Sequence, residues 1–206
     1  MKNTKKVLFC LLCAALCAVI FACASGGGGG GAAAAAGPSE APAVFTFEAL
    51  DDSNDKGTST ITMTTAEETI DGVKYQTWSF KGNVTSKYQY GLATVALTPD
   101  EATLALLKTA KAISFKMLTK DGRSYKVEAP ISTVKDWGFH CFTVKNEANQ
   151  VAEHKIEMRM FMQPSWAAAV RFNRDRLEML RIQTINAAEG GVGPFEFKVW
   201  DFKVYQ

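Results

Sequence analysis

From Val44 to the C-terminus apolar residues recur at every second position, and a single stretch breaks the rhythm. Residues at i, i+2 and i+4 share one face of a pleated strand, so this period means half-buried strands rather than helices. Ile113, Phe115 and Met117 alternate with Ser114 and Lys116, and Tyr125, Val127 and Ala129 with Lys126 and Glu128. Lys120-Asp121-Gly122-Arg123 between them predicts a hairpin turn. Ile156, Met158, Met160 and Met162 alternate with Lys155, Glu157, Arg159 and Phe161, predicting a strand over 155–162. Further strands are expected over 44–47, 58–64, 74–80, 91–96, 139–144, 180–185 and 195–205. Short strands separated by turn residues make a β-sandwich. In the last of them the phase of Phe195, Phe197 and Val199 would carry Asp201 inward before passing to Phe202 and Val204, which a β-bulge near Trp200 explains simply and a structural cation bound by Asp201 explains as the alternative.

The interruption is helical. Thr98 is placed to cap, Pro99 to occupy the first helical position and Glu101 to complete a capping box, with Leu104 and Leu107 forming a buried stripe. This short helix over Thr98 to Ala110 is an insertion in an otherwise all-β chain.

Ahead of the strands stand two different segments. Lys2, Lys5 and Lys6 precede an unbroken apolar run from Val7 to Ala22. That run is short for a membrane span of about 20 residues, and its basic start fits a cleaved export signal over 1–22. Ile20-Phe21-Ala22-Cys23 resembles the bacterial lipobox, which makes Cys23 the expected lipidation site, carrying diacylglycerol and palmitate-like acyl chains. Cys17 follows the bulky Leu16, and Cys10 and Cys13 lie inside the apolar run, so none of these suits cleavage. Residues 23–43, with glycines from Gly26 to Gly31 and alanines from Ala32 to Ala36, are expected to form a flexible linker. Residues 44–206 are then the domain. Ala24 after the anchor is not the Asp that signals inner-membrane retention, so the expected location is the outer membrane of a bacterial cell envelope.

With the signal removed, 20 basic residues face 21 acidic ones. A near-neutral chain has no one-signed field to gather nucleic acid, which excludes that partner class. Only Cys141 remains beside Cys23, so no disulfide forms within the domain and the fold rests on its core.

Several blocks in order resemble the complex I intermediate-associated protein family: Phe45-Thr46-Phe47-Glu48, Asp52 to Ser59, Phe80-Lys81-Gly82-Asn83-Val84, Tyr90-Gly91-Leu92-Ala93, Ile113-Ser114-Phe115-Lys116, Asp121-Gly122-Arg123-Ser124-Tyr125 and Phe197 to Tyr205. The resemblance implies a galactose-binding-like jelly roll, a fold shared with non-catalytic carbohydrate-binding modules. The helical insertion departs from the family pattern.

Catalysis finds little support. His140 and His154 sit in no metalloprotease, serine-hydrolase or phosphate-loop context. His154 is expected as a solvated strand-end residue, and adjacent His140 and Cys141 point to opposite faces. Binding by aromatic side chains is the better expectation, because flat rings stack on the apolar faces of sugars. Trp78 reads as core and Trp200 is ambiguous, whereas Trp137 and Trp166 stand beside turn formers and are the ligand platform candidates. Tyr88, Tyr90, Arg171 and Asn173 could complete such a site. Jelly rolls of this type often hold a structural calcium, for which Glu48 and Asp201 are the candidate ligands, helped by backbone carbonyls or by Asp51 and Asp52. The expected partners are a membrane through the lipid anchor and a glycan. A protein partner gripped by the same sandwich is the alternative.

Overall fold

The computed structural model describes residues 39–185 and 191–206. Cys23, the export signal and most of the expected linker lie outside the described residues. Eleven strands form two antiparallel sheets: β1 (Glu40–Pro42), β2 (Phe45–Asp51), β3 (Thr60–Ile70), β4 (Val73–Val84), β5 (Leu92–Pro99), β6 (Ala112–Thr119), β7 (Ser124–Ala129), β8 (His140–Lys145), β9 (Val151–Glu157), β10 (Leu180–Ile185) and β11 (Gly193–Tyr205). Six of them make one sheet, in the order β3-β4-β11-β6-β9 with β1 also on β11, and five make the other, in the order β2-β5-β10-β7-β8. Helix α1 (Glu101–Thr109) follows β5.

The alternation places one set of side chains between the sheets. Phe45, Phe47, Val95, Leu97, Tyr125, Val127 and Ile182 come from the five-stranded sheet, and Phe80, Phe115, Met117, Phe197, Phe202 and Val204 from the six-stranded one; all are buried. Rings meet across the layers: Phe47 stacks on Trp78 at 4.1 Å, Tyr125 meets Phe197 at 4.6 Å and Phe45 meets Phe202 edge-on at 5.5 Å, while within the six-stranded sheet Phe202 stacks on Phe115 at 5.3 Å. Each such side chain contributes about 1.5–3 kcal/mol by leaving water, and truncating Phe115 to Ala costs about 3–5 kcal/mol.

Local chemistry differs from expectation at several points. β3 and β4 form a long hairpin closed by Asp71 and Gly72, both at positive φ, which an Asp-Gly pair supplies readily. The predicted hairpin at Lys120–Arg123 is instead a passage between sheets, because β6 pairs with β9 and β11 while β7 pairs with β8 and β10. α1 is capped by Asp100, whose Oδ1 accepts from the Thr103 amide at 2.7 Å, and Pro99 ends β5 rather than opening the helix. Thr103 and Leu107 form its buried side, with Leu104 half-buried.

β9 spans Val151–Glu157, earlier than the predicted 155–162. Met158 and Phe161 are both buried at a spacing of three, which suits a 3-10 turn, and this throws Met160 and Met162 outward. His154 is not solvated: it points inward from β9, half-buried against Phe115, with Nε2 2.6 Å from Asn146 Oδ1. Residues 40–42, expected as linker, pair antiparallel with Lys203–Tyr205 as an edge strand, where Pro42 is tolerated. The bulge near Trp200 is present: the β11–β6 register shifts between Trp200 and Lys203, with Asp201 at φ +56°.

Candidate functional site

The register of the five-stranded sheet sets its outer face in rows. Glu48, Ala96, Arg181, Glu128 and Cys141 form one row, and Leu50, Thr94, Gln183, Lys126 and Thr143 the next. Thr94 and Ala96 are small and buried although they point outward, so they floor the face between taller neighbours. Gln183 Nε2 donates to Thr94 Oγ1 at 3.1 Å, which fixes the amide. Burial raises the pKa of Glu128, with Lys126 and Arg181 pulling it back. The Arg181 guanidinium lies over the Phe139 ring, 5.1 Å from its centre, and its buried Nε has no hydrogen-bond partner.

Phe139 leads to the two tryptophans. Trp137 meets it edge-on at 6.1 Å and is 73% exposed, while Trp166 is 68% exposed. Their loops are tied together by polar bonds of Asp136 and Gln163 rather than by the tryptophans themselves. Asp136 accepts from the amides of Ala168 at 2.7 Å and Gly138 at 3.0 Å, and these bonds, Ala168 first, hold its pKa below the usual value. Gln163 Nε2 donates to the Gly138 carbonyl at 2.7 Å, and its Oε1 accepts from the Val170 amide at 2.6 Å. Trp137 itself sits at φ +63° in a tight turn, closed by the Phe139 amide on the Trp137 carbonyl at 2.9 Å. A non-glycine residue held there stores strain that the surrounding bonds must offset. Two exposed tryptophans on cross-linked loops, at the end of a face carrying Arg181, Gln183 and Lys126, can stack a flat apolar ligand face and hydrogen-bond its hydroxyls.

The other predicted residues lie elsewhere. Tyr88 and Tyr90 pair edge-on at 5.9 Å in the loop before β5, at the opposite end of the sheet from β8's start and Trp137. Asn173 spends its Oδ1 on the Asp175 amide at 3.0 Å, and Arg171 and Asn173 line a different groove beside Lys108. Glu48 and Asp201 do not share a site. Glu48 points out of the five-stranded sheet, whereas Asp201 lies on the outer face of the six-stranded one, 3.3 Å from Lys116 Nζ, so both sheets separate them. Asp52, the suggested helper, is buried with its oxygens taken by the Ser59 amide and hydroxyl and the Leu92 amide. Among the described residues no three His, Cys, Asp or Glu side chains converge as an ion would need. The donors proposed for calcium therefore do not fit one ion.

Arg181, Gln183, Glu128 and Phe139 were not among the sequence candidates. The alternation of 125–129 and 180–185 already sends the first three outward, and that signal could have found them.

The sequence profile of the complex I intermediate-associated protein 30 family matches residues 38–199. The chain belongs to that family. Two solved structures resemble it in fold. The family 11 carbohydrate-binding module of the cellulosomal cellulase Lic26A-Cel5E of Clostridium thermocellum is 13% identical with a TM-score of 0.50, covering 83% of this chain and 95% of its own. The family 11 module from Clostridium thermocellum in complex with a β-1,3-1,4-mixed-linked tetrasaccharide is 10% identical with a TM-score of 0.52, covering 80% and 94%. At such identity the likeness is one of fold, and it makes this sandwich a jelly roll. No curated protein matched the chain significantly.

Proposed function

We propose that this family member is an exported bacterial lipoprotein, anchored through Cys23 in the outer membrane, whose jelly roll is a non-catalytic domain that binds an envelope glycan. The observation that carries the binding reading is the ledge of Trp137 and Trp166, both exposed and both fixed by Asp136 and Gln163. Support comes from the neighbouring module held with a mixed-linked tetrasaccharide. The anchoring rests on the Ile20-Phe21-Ala22-Cys23 sequence.

Screening the full chain on a glycan array, followed by calorimetry with the best saccharide, tests the binding. Trp137→Ala and Trp166→Ala should each weaken it about tenfold or more, roughly 1.4 kcal/mol. Saccharide binding that is absent, or indifferent to both changes, refutes the ledge. Radiolabelled palmitate that marks the wild type and not Cys23→Ser tests the anchor.

A second reading has one observation in its favour: the family is described by its association with an intermediate of complex I, an assembly role. On that reading the same face grips a protein partner, and co-purification of one protein, lost in the tryptophan variants without any saccharide binding, would favour it.

A further inference from the structure

We propose a second binding site, for an acidic saccharide chain, in two adjoining grooves beside α1. One groove, of about 360 Å³, is lined by Lys108, Arg171, Phe172, Asn173, Arg174 and Asp175. The other, of about 750 Å³, runs from the end of α1 and the start of β6 to the end of β9 and shares Phe172 and Arg174 with the first. Together they collect six cations, Lys108, Lys111, Lys155, Arg159, Arg171 and Arg174, against the two acids Glu157 and Asp175. In a chain whose 23 basic and 21 acidic residues nearly cancel, that is a local excess.

Little of that charge is spent internally. Arg159 is paired with Glu157. The Arg174 guanidinium donates to the Ala110 carbonyl at the end of α1, which aims its fork and leaves the remaining N–H groups for a ligand. The Lys155 ammonium lies 3.7 Å above the Tyr205 ring, an arrangement that holds the charge in place without neutralising it. Among the described residues Lys108, Lys111 and Arg171 have no carboxylate within ion-pair distance. Converging like charges repel within a Debye length of about 8 Å, and several anionic groups laid between them relieve that repulsion.

The charge argues for the occupant. The two grooves share Phe172 and Arg174, so an extended polyanion can meet the cations of both. Carboxylate or sulfate groups spaced along sugar rings would meet the cations, with Phe172 offering apolar surface between them. None of the lining residues belongs to the Trp137–Trp166 ledge, so this site and the proposed glycan ledge can fail separately.

Calorimetry of the full chain with polygalacturonate and with dextran sulfate is the test, with uncharged dextran as reference. Binding is expected at about 50 mM NaCl, weakening about tenfold or more by about 300 mM as counterion release predicts. Lys111→Glu with Arg171→Glu should cost a further tenfold or more, and Lys108→Glu alone should weaken binding in the same direction. Lys81→Glu with Lys87→Glu, equal in charge change and away from the grooves, should leave it unaltered, as should Trp137→Ala. No binding to either polyanion at low salt overturns the proposal. So does an equal loss in the Lys81 and Lys87 control, or binding confined to vesicles containing phosphatidylglycerol.

Discussion

Asp201 sits in the left-handed region at φ +56° and holds Lys116 across the bulge at 3.3 Å. The bulge returns Phe202 and Val204 to the core after Val199, and beyond it β11 exchanges β4 for β1 as its neighbour. Asn and Gly tolerate this backbone, whereas a β-branched residue pays about 1–2 kcal/mol for it. Asp201→Val should therefore unfold in urea with a stability lower than that of Asp201→Asn by at least that amount. Equal stabilities would show that the bulge imposes no left-handed backbone.

Arg123 is a hub that the local pattern conceals. Its side chain is 9% exposed; its Nη1 donates to the Gly191 carbonyl at 2.8 Å and its Nη2 to that of Pro194 at 3.1 Å, while Asp121 pairs with its Nε at 3.4 Å. It thus joins the passage between β6 and β7 to the entry of β11. Arg123→Ala should lower unfolding stability by about 2–3 kcal/mol, given what hydrogen bonds of charged groups contribute. Lysine should recover less than half, since it lacks the planar fork.

The ledge depends on close contact between its two loops. A Cβ on Gly138 would lie 2.2 Å from Ala167 Cβ, so Gly138→Ala must push the loops of Trp137 and Trp166 apart. The expected outcome is a shift in tryptophan fluorescence and saccharide affinity lowered about tenfold, with the β-sheet circular dichroism retained. Unchanged affinity would mean that the ligand does not span both loops.

Acid should weaken the fold through its histidines. Burial lowers the pKa of both His140 and His154, with the Val170 backbone partly countering it for His140. The fold favours their neutral form, so the stability they carry is present above the unfolded value of about 6.5 and is lost as pH falls through their lower native values. Glu128 runs the other way: its raised value makes the fold favour the protonated form, so stability is lost as pH rises above the unfolded value of about 4.3. Glu128→Gln should therefore raise Tm at pH 7 and gain nothing near pH 4, which thermal melts at the two pH values check. Ring-proton titration by NMR should place both histidine midpoints below 6.5; a midpoint above it for either would contradict the burial argument.

Particular residues show how far the pattern reached. Ile113, Phe115 and Met117 face inward as their alternation requires, and the phase change after Val199 marks the bulge. Trp137 and Trp166 were legible as exposed because turn formers flank them. Arg181 and Gln183 were as readable but lie on a face, and an alternating pattern marks the outside of a strand without saying which outside residues adjoin. The 155–162 alternation misled, since Met160 and Met162 imitate a strand that Met158 and Phe161 convert into a turn.

By itself the sequence determined the element type over most of the domain, the inward set of strands such as Ile113–Met117 and Tyr125–Ala129, the helix after β5 and the near-neutral charge, because these are written in composition and in neighbours a few residues apart. Only the tertiary structure decided which strands share a sheet, turning Lys120–Arg123 from a hairpin into a crossing and sending Glu48 and Asp201 to opposite outer faces. It also joined the loops of Trp137 and Trp166 and gathered six cations from three stretches of chain around Phe172. The physical reason is that alternation encodes which side of a strand meets water, whereas sheet partners are chosen by the packing of the whole core, to which every strand presents a similar apolar face.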